Sequence, residues 1–117
     1  MNTISLTLPM PPSTNRIWRT SGQRVYRSAE YVQFLNDVGM TCNIARLPAP
    51  TAAPVELRMK FYMARTNGDV TNRIKALEDA LKGFCYVDDL QVVRGSFERL
   101  MDAKRPRVEV EVREVTS

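Results

Sequence analysis

The sequence predicts an α+β fold: a single compact domain with a mixed, mainly antiparallel sheet and two helices packed on one face. Three observations carry this. Residues 55–63 and 108–113 alternate strictly between apolar and polar side chains, the period-two pattern of a half-buried strand. Residues 28–45 and 71–81 instead repeat apolar residues at helical spacing. A chain of 117 residues is the size of one domain, so residues 1–117 are read as one unit. Strands with one apolar and one polar face make a sheet covered on one side only, which puts both helices on the apolar side.

In chain order, residues 4–8 (Ile-Ser-Leu-Thr-Leu) alternate as a strand that Pro9, Pro11 and Pro12 terminate, because proline removes ladder donors. Arg16, Arg19, Arg24 and Arg27 flank Thr20-Ser21-Gly22-Gln23, the pattern of a basic hairpin turning at Ser21-Gly22. Ser28 stands as an N-cap with Tyr31 at the third helical position. Tyr31, Phe34 or Leu35, Val38, Cys42 and Ala45 then mark a helix that ends before Pro48. A Pro/Ala-rich loop leads to the strand 55–63. A turn at Asn67-Gly68 follows, then a helix over 71–81 with Gly83 closing it. Residues 85–87 read as a short extended piece and 92–100 as a strand. Lys104-Arg105-Pro106 is a turn before the last strand, where Val108, Val110 and Val112 alternate with Glu109, Glu111 and Arg113.

Composition removes several chemistries. The chain has no histidine, which excludes imidazole bases, Ser-His and Cys-His nucleophiles and His-dependent zinc sites. Cys42 and Cys85 read as two buried, reduced thiols. Hard-metal chemistry on carboxylates remains, and it favours Mg²⁺, with Mn²⁺ possible. No stretch approaches the ~18 apolar residues of a membrane span, and the alternating start is not that of a signal peptide, so the expected setting is cytoplasmic, with no membrane partner. Lys and Arg number 17 against 13 Asp and Glu. Residues 1–29 hold four arginines and no acid, so the whole excess lies in the first quarter of the chain. Such a local field attracts phosphate backbones.

The chemistry concentrates in residues 68–93. Asp69 precedes the second helix, Lys75 lies on it, and Asp88-Asp89 follow it. Each has an ordinary role: Asp69 as a cap, Lys75 as a surface lysine paired with Glu78 or Asp79, and Asp88-Asp89 as solvated acids. Together they suit phosphodiester hydrolysis, in which carboxylates from separate elements hold a divalent ion and a lysine meets the charge on the phosphate. Asn72 either caps the helix or orients a ligand, and Arg73 beside it is a DNA-contact candidate. Arg16, Arg19, Arg24 and Arg27 interleave with Trp18 and Tyr26. The ordinary reading is a solvated hairpin with two partly buried aromatics; the missing acids favour DNA contact.

These residues resemble the RusA-type Holliday junction resolvases, small phage-associated endonucleases. The similarity spans nearly the whole chain, through PMPPSTNRIWR after the first strand and RSAEYVQF at the first helix. Its most specific part is Asp69-Val70-Thr71-Asn72, Lys75, Asp79-Ala80-Leu81, and Asp88-Asp89 with Gln91-Val92. The family pattern is Asp-x-Asp-Asn, a lysine three residues on, Asp-Ala-Leu, and later Asp-Asp.

The resemblance implies a homodimer that cleaves four-way or branched DNA by paired symmetric nicks with Mg²⁺. A two-fold enzyme supplies two identical sites for two cuts. By position it implies Asp69 and Asp89 as metal ligands, Lys75 as the catalytic lysine, and Asp88 as a neighbouring acid. The chain departs from the pattern at Thr71, where the family has its second acid. A threonine hydroxyl can ligate Mg²⁺ but brings no charge, and it also serves as an N-cap. Three outcomes follow from that one residue: a weaker metal site, substitution by Glu78 one turn along, or a protein that binds junctions without cutting them. A homodimeric interaction module with no nucleic-acid role is the remaining alternative.

Overall fold

Every second residue of Val55–Met63, the strand β4, is buried: Val55, Leu57, Met59, Phe61 and Met63. That row is the centre of the core in the computed structural model, which describes residues 3–66 and 68–116. The expected turn residue Asn67 lies outside the described residues. Strands β1 (Thr3–Leu8), β4, β5 (Val92–Met101) and β6 (Arg107–Glu114) form one sheet in the order β1-β6-β4-β5. The β1–β6 and β6–β4 pairs are antiparallel and β4–β5 is parallel, so the sheet is mixed and mainly antiparallel, as expected.

Helix α1 (Ala29–Ala45) buries Tyr31, Phe34, Val38 and Cys42. Helix α2 (Thr71–Leu81) buries Ala76, Leu77, Ala80 and Leu81. Both faces join Leu6, Leu8, Val108, Val110, Val112 and the β4 row in one apolar cluster. Burying such side chains supplies the main drive to fold, about 1.5–3 kcal/mol for each large one. Ser28 caps α1 by accepting from the Tyr31 N–H at 3.1 Å. Arg46 ends α1 in the left-handed region (φ 53°), two residues before Pro48. Gly83 (φ 90°) follows the last turn of α2, where a side chain would be strained.

The opposite face of the sheet is a lattice of charges. Glu56 is 7% exposed beneath Arg113 at 2.6 Å, Arg58 at 3.6 Å and Arg94 at 3.8 Å. Glu109 and Glu111 stand opposite Lys60 and Arg58 on β4. Signs are mixed here, so this face offers no uniform field for a polyanion.

The remaining hairpin stands apart from the main sheet. Among the described residues, strands β2 (Trp18–Ser21) and β3 (Arg24–Arg27) pair only with each other, and all eight residues are exposed. The turn is Gly22-Gln23 rather than Ser21-Gly22, because Ser21 still pairs with Arg24. With Gly22 at φ 61°, the Gly-first two-residue turn matches the twist of the strands better. Trp18 and Tyr26 are 55% and 45% exposed, more open than the expected partly buried pair.

Residues 85–87 are not extended as expected. Cys85 lies in a turn, with its N–H bonded to the Leu81 carbonyl at 2.9 Å, and Tyr86 forms isolated bridges to Thr51 and Lys82. Tyr86 is fully buried and donates its hydroxyl to the Glu78 carbonyl at 2.6 Å. Anchoring one aromatic ring overrides the local preference for extension. Cys42 and Cys85 are free and buried, as read from the sequence.

Candidate active site

The site is carried by the connection between the parallel strands β4 and β5. Such strands need a crossover, and here α2 is that crossover. Asp69 precedes α2 and Asp89 lies between α2 and β5.

Asp69 acts on the mouth of α2. Its Oδ1 accepts from the Thr71 hydroxyl at 2.9 Å and, less closely, from the Asn72 N–H at 3.4 Å. Its Oδ2 accepts from the Asn72 amide nitrogen at 2.7 Å. The Thr71 hydroxyl and the Asn72 N–H hold this carboxyl below its ordinary range. Thr71 is therefore not the cap its type suggests. The capping bonds belong to Asp69, while Val70 at the N-cap position has helical dihedrals. Threonine instead orients the carboxylate where the family pattern has an acid.

One turn along α2, the Lys75 Nζ stands 3.1 Å from both Asp79 Oδ1 and Asp89 Oδ2. Those two carboxylates, Asp79 first, raise its proton affinity, so it is a cation at neutral pH and not a base. Asp89 is held low, first by hydrogen bonding with the Asp88 carboxyl and then by Lys75. Asp88 caps the short 3-10 turn Asp89–Gln91, accepting from the Leu90 N–H at 3.0 Å. Gln91 completes this support, accepting from the Asp88 N–H at 2.7 Å and donating to the Thr51 and Ala53 carbonyls.

At about 100° per residue, Thr71, Asn72, Lys75 and Asp79 fall within roughly 100° of one another around α2. The stripe joins two clusters: Asp69 with Thr71 and Asn72, and Lys75 with Asp79 and Asp89. No hydrogen bond or ion pair links the clusters directly among the described residues. Asp79, read from the sequence as an ordinary partner of Lys75, stands beside Lys75 in the site, and its i,i+4 spacing was the available signal. Glu78 turns elsewhere. It lines a groove with Leu57, Met59, Ile74 and Phe97, and burial raises its carboxyl. It is therefore poorly placed to replace the acid absent at 71.

The hairpin adjoins the same stripe. Thr14, in the 3-10 turn Thr14–Arg16, donates to the Asn72 carbonyl at 2.8 Å. Arg73 donates to the Pro11 carbonyl at 2.6 Å and the Asp69 carbonyl at 3.2 Å. Ser28 donates to the Arg16 carbonyl, and the Arg27 guanidinium lies 5.6 Å from the Tyr31 ring centre. Arg16 approaches Glu30 at 3.9 Å, while Arg19 and Arg24 share one face of the hairpin with Tyr26.

Asp69, Asp89 and the Thr71 hydroxyl are hard oxygen donors. Among the described residues no three acids or thiols form a ready-made metal cluster. That donor set fits Mg²⁺, which commonly takes one or two carboxylates and completes its shell with water and phosphate.

A family model described as "Endodeoxyribonuclease RusA" matches residues 9–113, which include every residue of both clusters. The chain belongs to the RusA family. Similar RusA proteins, named crossover junction endodeoxyribonucleases, come from Escherichia coli strain K12 and Shigella sonnei strain Ss046, each 37% identical over 117 residues. A third, from Enterobacteria phage 82, is 35% identical. In each case the match covers 98% of this chain and 98% of the relative.

Proposed function

We propose that this RusA-family chain is a divalent-metal-dependent endodeoxyribonuclease that resolves four-way (Holliday) DNA junctions by paired symmetric nicks. It acts as a homodimer in the bacterial cytoplasm, encoded by host or phage. The observation that carries the reading is Lys75 held 3.1 Å from Asp89, on the same helix whose mouth Asp69 occupies. Support also comes from relatives named for this activity along their full length.

Asp69 and Asp89 hold the metal, Mg²⁺ or Mn²⁺, with Thr71 as a neutral third donor and Asp88 behind Asp89. Such an ion, when bound, stabilises charge on phosphate oxygens and lowers the pKa of bound water. Lys75, fixed as a cation, turns from its carboxylates to the scissile phosphate and meets the charge developing there. Arg16, Arg19, Arg24 and Arg27 grip the junction arms, and Asn72 and Arg73 complete the DNA-facing surface at the helix mouth.

The test is cleavage of a synthetic four-way junction by the purified protein across a range of Mg²⁺ and Mn²⁺ concentrations. Paired nicks are expected, and Asp69→Asn and Asp89→Asn should abolish them while binding survives. Intact binding without cleavage at any metal concentration would overturn the nuclease reading and leave a junction-binding protein. Cleavage by both variants would overturn the ligand assignment. In the same assay Thr71→Asp is expected to lower the Mg²⁺ concentration needed for half-maximal rate. An unchanged requirement removes Thr71 from the ligand set.

A further inference from the structure

The two carboxylates assigned to the metal are held in different ways. Asp69 is fixed locally, by Thr71 and Asn72 at the mouth of its own helix. Asp89 stands in the short 3-10 turn between α2 and β5, and the support of that turn comes from the side chain of Gln91. The Gln91 Oε1 accepts from the Val87 N–H at 2.9 Å and the Asp88 N–H at 2.7 Å. Its Nε2 donates to the Thr51 and Ala53 carbonyls, each at 2.8 Å. The amide thus engages both of its N–H donors and both lone pairs of its oxygen.

These four bonds select glutamine. Turning the amide over would set N–H against N–H and carbonyl against carbonyl, so it has one way to sit. A glutamate of the same length keeps the two acceptor bonds but turns a carboxylate toward two carbonyls. Asparagine keeps the amide on a stem shorter by one carbon–carbon bond, about 1.5 Å, and cannot reach both sides at once. The far side of the clamp is itself braced. The Thr51 N–H donates to the Cys85 carbonyl at 3.4 Å, and the Thr51 hydroxyl oxygen accepts from the Ala53 N–H at 3.1 Å. The Gln91 N–H closes the turn on the Asp88 carbonyl at 3.0 Å. The backbone is therefore held on both sides of Asp89, against the loop that leads into β4.

We propose that Gln91 is a positioning residue of the metal site: by tying the Asp88–Asp89 turn to the loop before β4, it sets the place of the Asp89 carboxylate relative to Asp69. This rests on the reading of Asp69 and Asp89 as the metal's ligands. Mg²⁺ demands near-ideal octahedral geometry with oxygens at about 2.0–2.1 Å, so a carboxylate free to shift by a fraction of an ångström binds it less well. Thr71 brings no charge to the site, so the two charged ligands depend the more on their placement. Groups that orient metal ligands from behind typically contribute about 10–100-fold to affinity.

The experiment titrates Mn²⁺ with the purified protein in the absence of DNA and follows the free ion by electron paramagnetic resonance, with thermal melts and the metal dependence of junction cleavage alongside. Gln91→Met, neutral and of similar length, removes all four bonds, and Gln91→Asn keeps the amide but falls short. Both are expected to melt cooperatively and to weaken Mn²⁺ binding about 10–100-fold. Cleavage should need correspondingly more metal for half-maximal rate and approach the unaltered rate at saturation, a split that a partly unfolded protein would not give. An unchanged Mn²⁺ affinity in either folded variant, with Asp89→Asn losing the ion, overturns the role of Gln91 and leaves the ligand reading standing. Loss of the cooperative melt in both variants makes Gln91 a folding residue and overturns the proposal alone. An Asp89→Asn variant that binds Mn²⁺ as well as the unaltered protein, or an unaltered protein that binds none, overturns the ligand reading and the proposal with it.

Discussion

Because Asp79 and Asp89 both sit 3.1 Å from Lys75, each strengthens its hold on a proton, and it stands as a fixed positive charge at neutral pH. Lys75→Met should lower the cleavage rate by about 10²–10³-fold, the usual effect of losing one transition-state donor, while junction affinity changes far less. Single-turnover cleavage against a binding titration separates the two. The raised lysine contributes stability below its unfolded value near ~10.4 and loses that contribution as pH rises through its folded value. Asp69, Asp89 and Asp102 have lowered values. Their contribution is present above about pH 4 and disappears as pH falls through the folded values. Thermal melts should therefore show a plateau through neutrality that falls away on both sides. Glu78 has the opposite sign to the other acids. Burial raises its carboxyl, so its charge opposes folding at neutral pH. Glu78→Gln should raise the melting temperature by about 1–3 °C at pH 7 and leave it nearly unchanged at pH 4. A drop at pH 7 would show that Lys75 attraction outweighs the desolvation.

Ser28 joins two elements: its oxygen caps α1, and its hydroxyl proton goes to the Arg16 carbonyl at the foot of the hairpin. Ser28→Ala should cost about 1–2 kcal/mol in urea unfolding and speed amide exchange in β2 and β3. Ser28→Thr should recover most of that loss. The cap was legible in the sequence because it depends on residues three apart. The β4 and β6 alternations and the span of α2 were legible for the same reason. What escaped rests on distant partners. Tyr86 is drawn inward by the Glu78 carbonyl, and no property of residues 85–87 alone announces that. Glu56 reads as one more polar residue on an alternating strand, and the pairing of β4 with β5 and β6 adds Arg94 and Arg113 to the Arg58 of its own strand. Thr71 is the local exception. Its type predicts a cap, but the neighbouring Asp69 takes that work and uses the threonine as a donor. Within the site the spacing of Asp69, Lys75 and Asp89 was visible in the chain, whereas the bond between Lys75 and Asp89 spans 14 residues and needed the fold.

For the whole molecule, charge separates by face. The open side of the sheet mixes signs, while Arg16, Arg19, Arg24 and Arg27 gather on and beside the hairpin, so DNA affinity should fall steeply with salt. Arg19→Ala and Arg24→Ala should each reduce the log–log salt slope by about one and weaken binding evenly across junction sequences. An unchanged slope in a salt titration would move the DNA away from the hairpin. The sheet order has a different consequence. β6, the last strand, lies between β1, the first, and β4. A chain cut after Asp102 lacks the strand that joins β1 to β4, and it should show no cooperative melt. During synthesis the sheet cannot close until residues beyond 107 have left the ribosome, and the crossover that carries Asp69, Lys75 and Asp89 stays loosely held until then. A nascent or prematurely terminated chain thus carries the acids and the lysine without the frame that sets them.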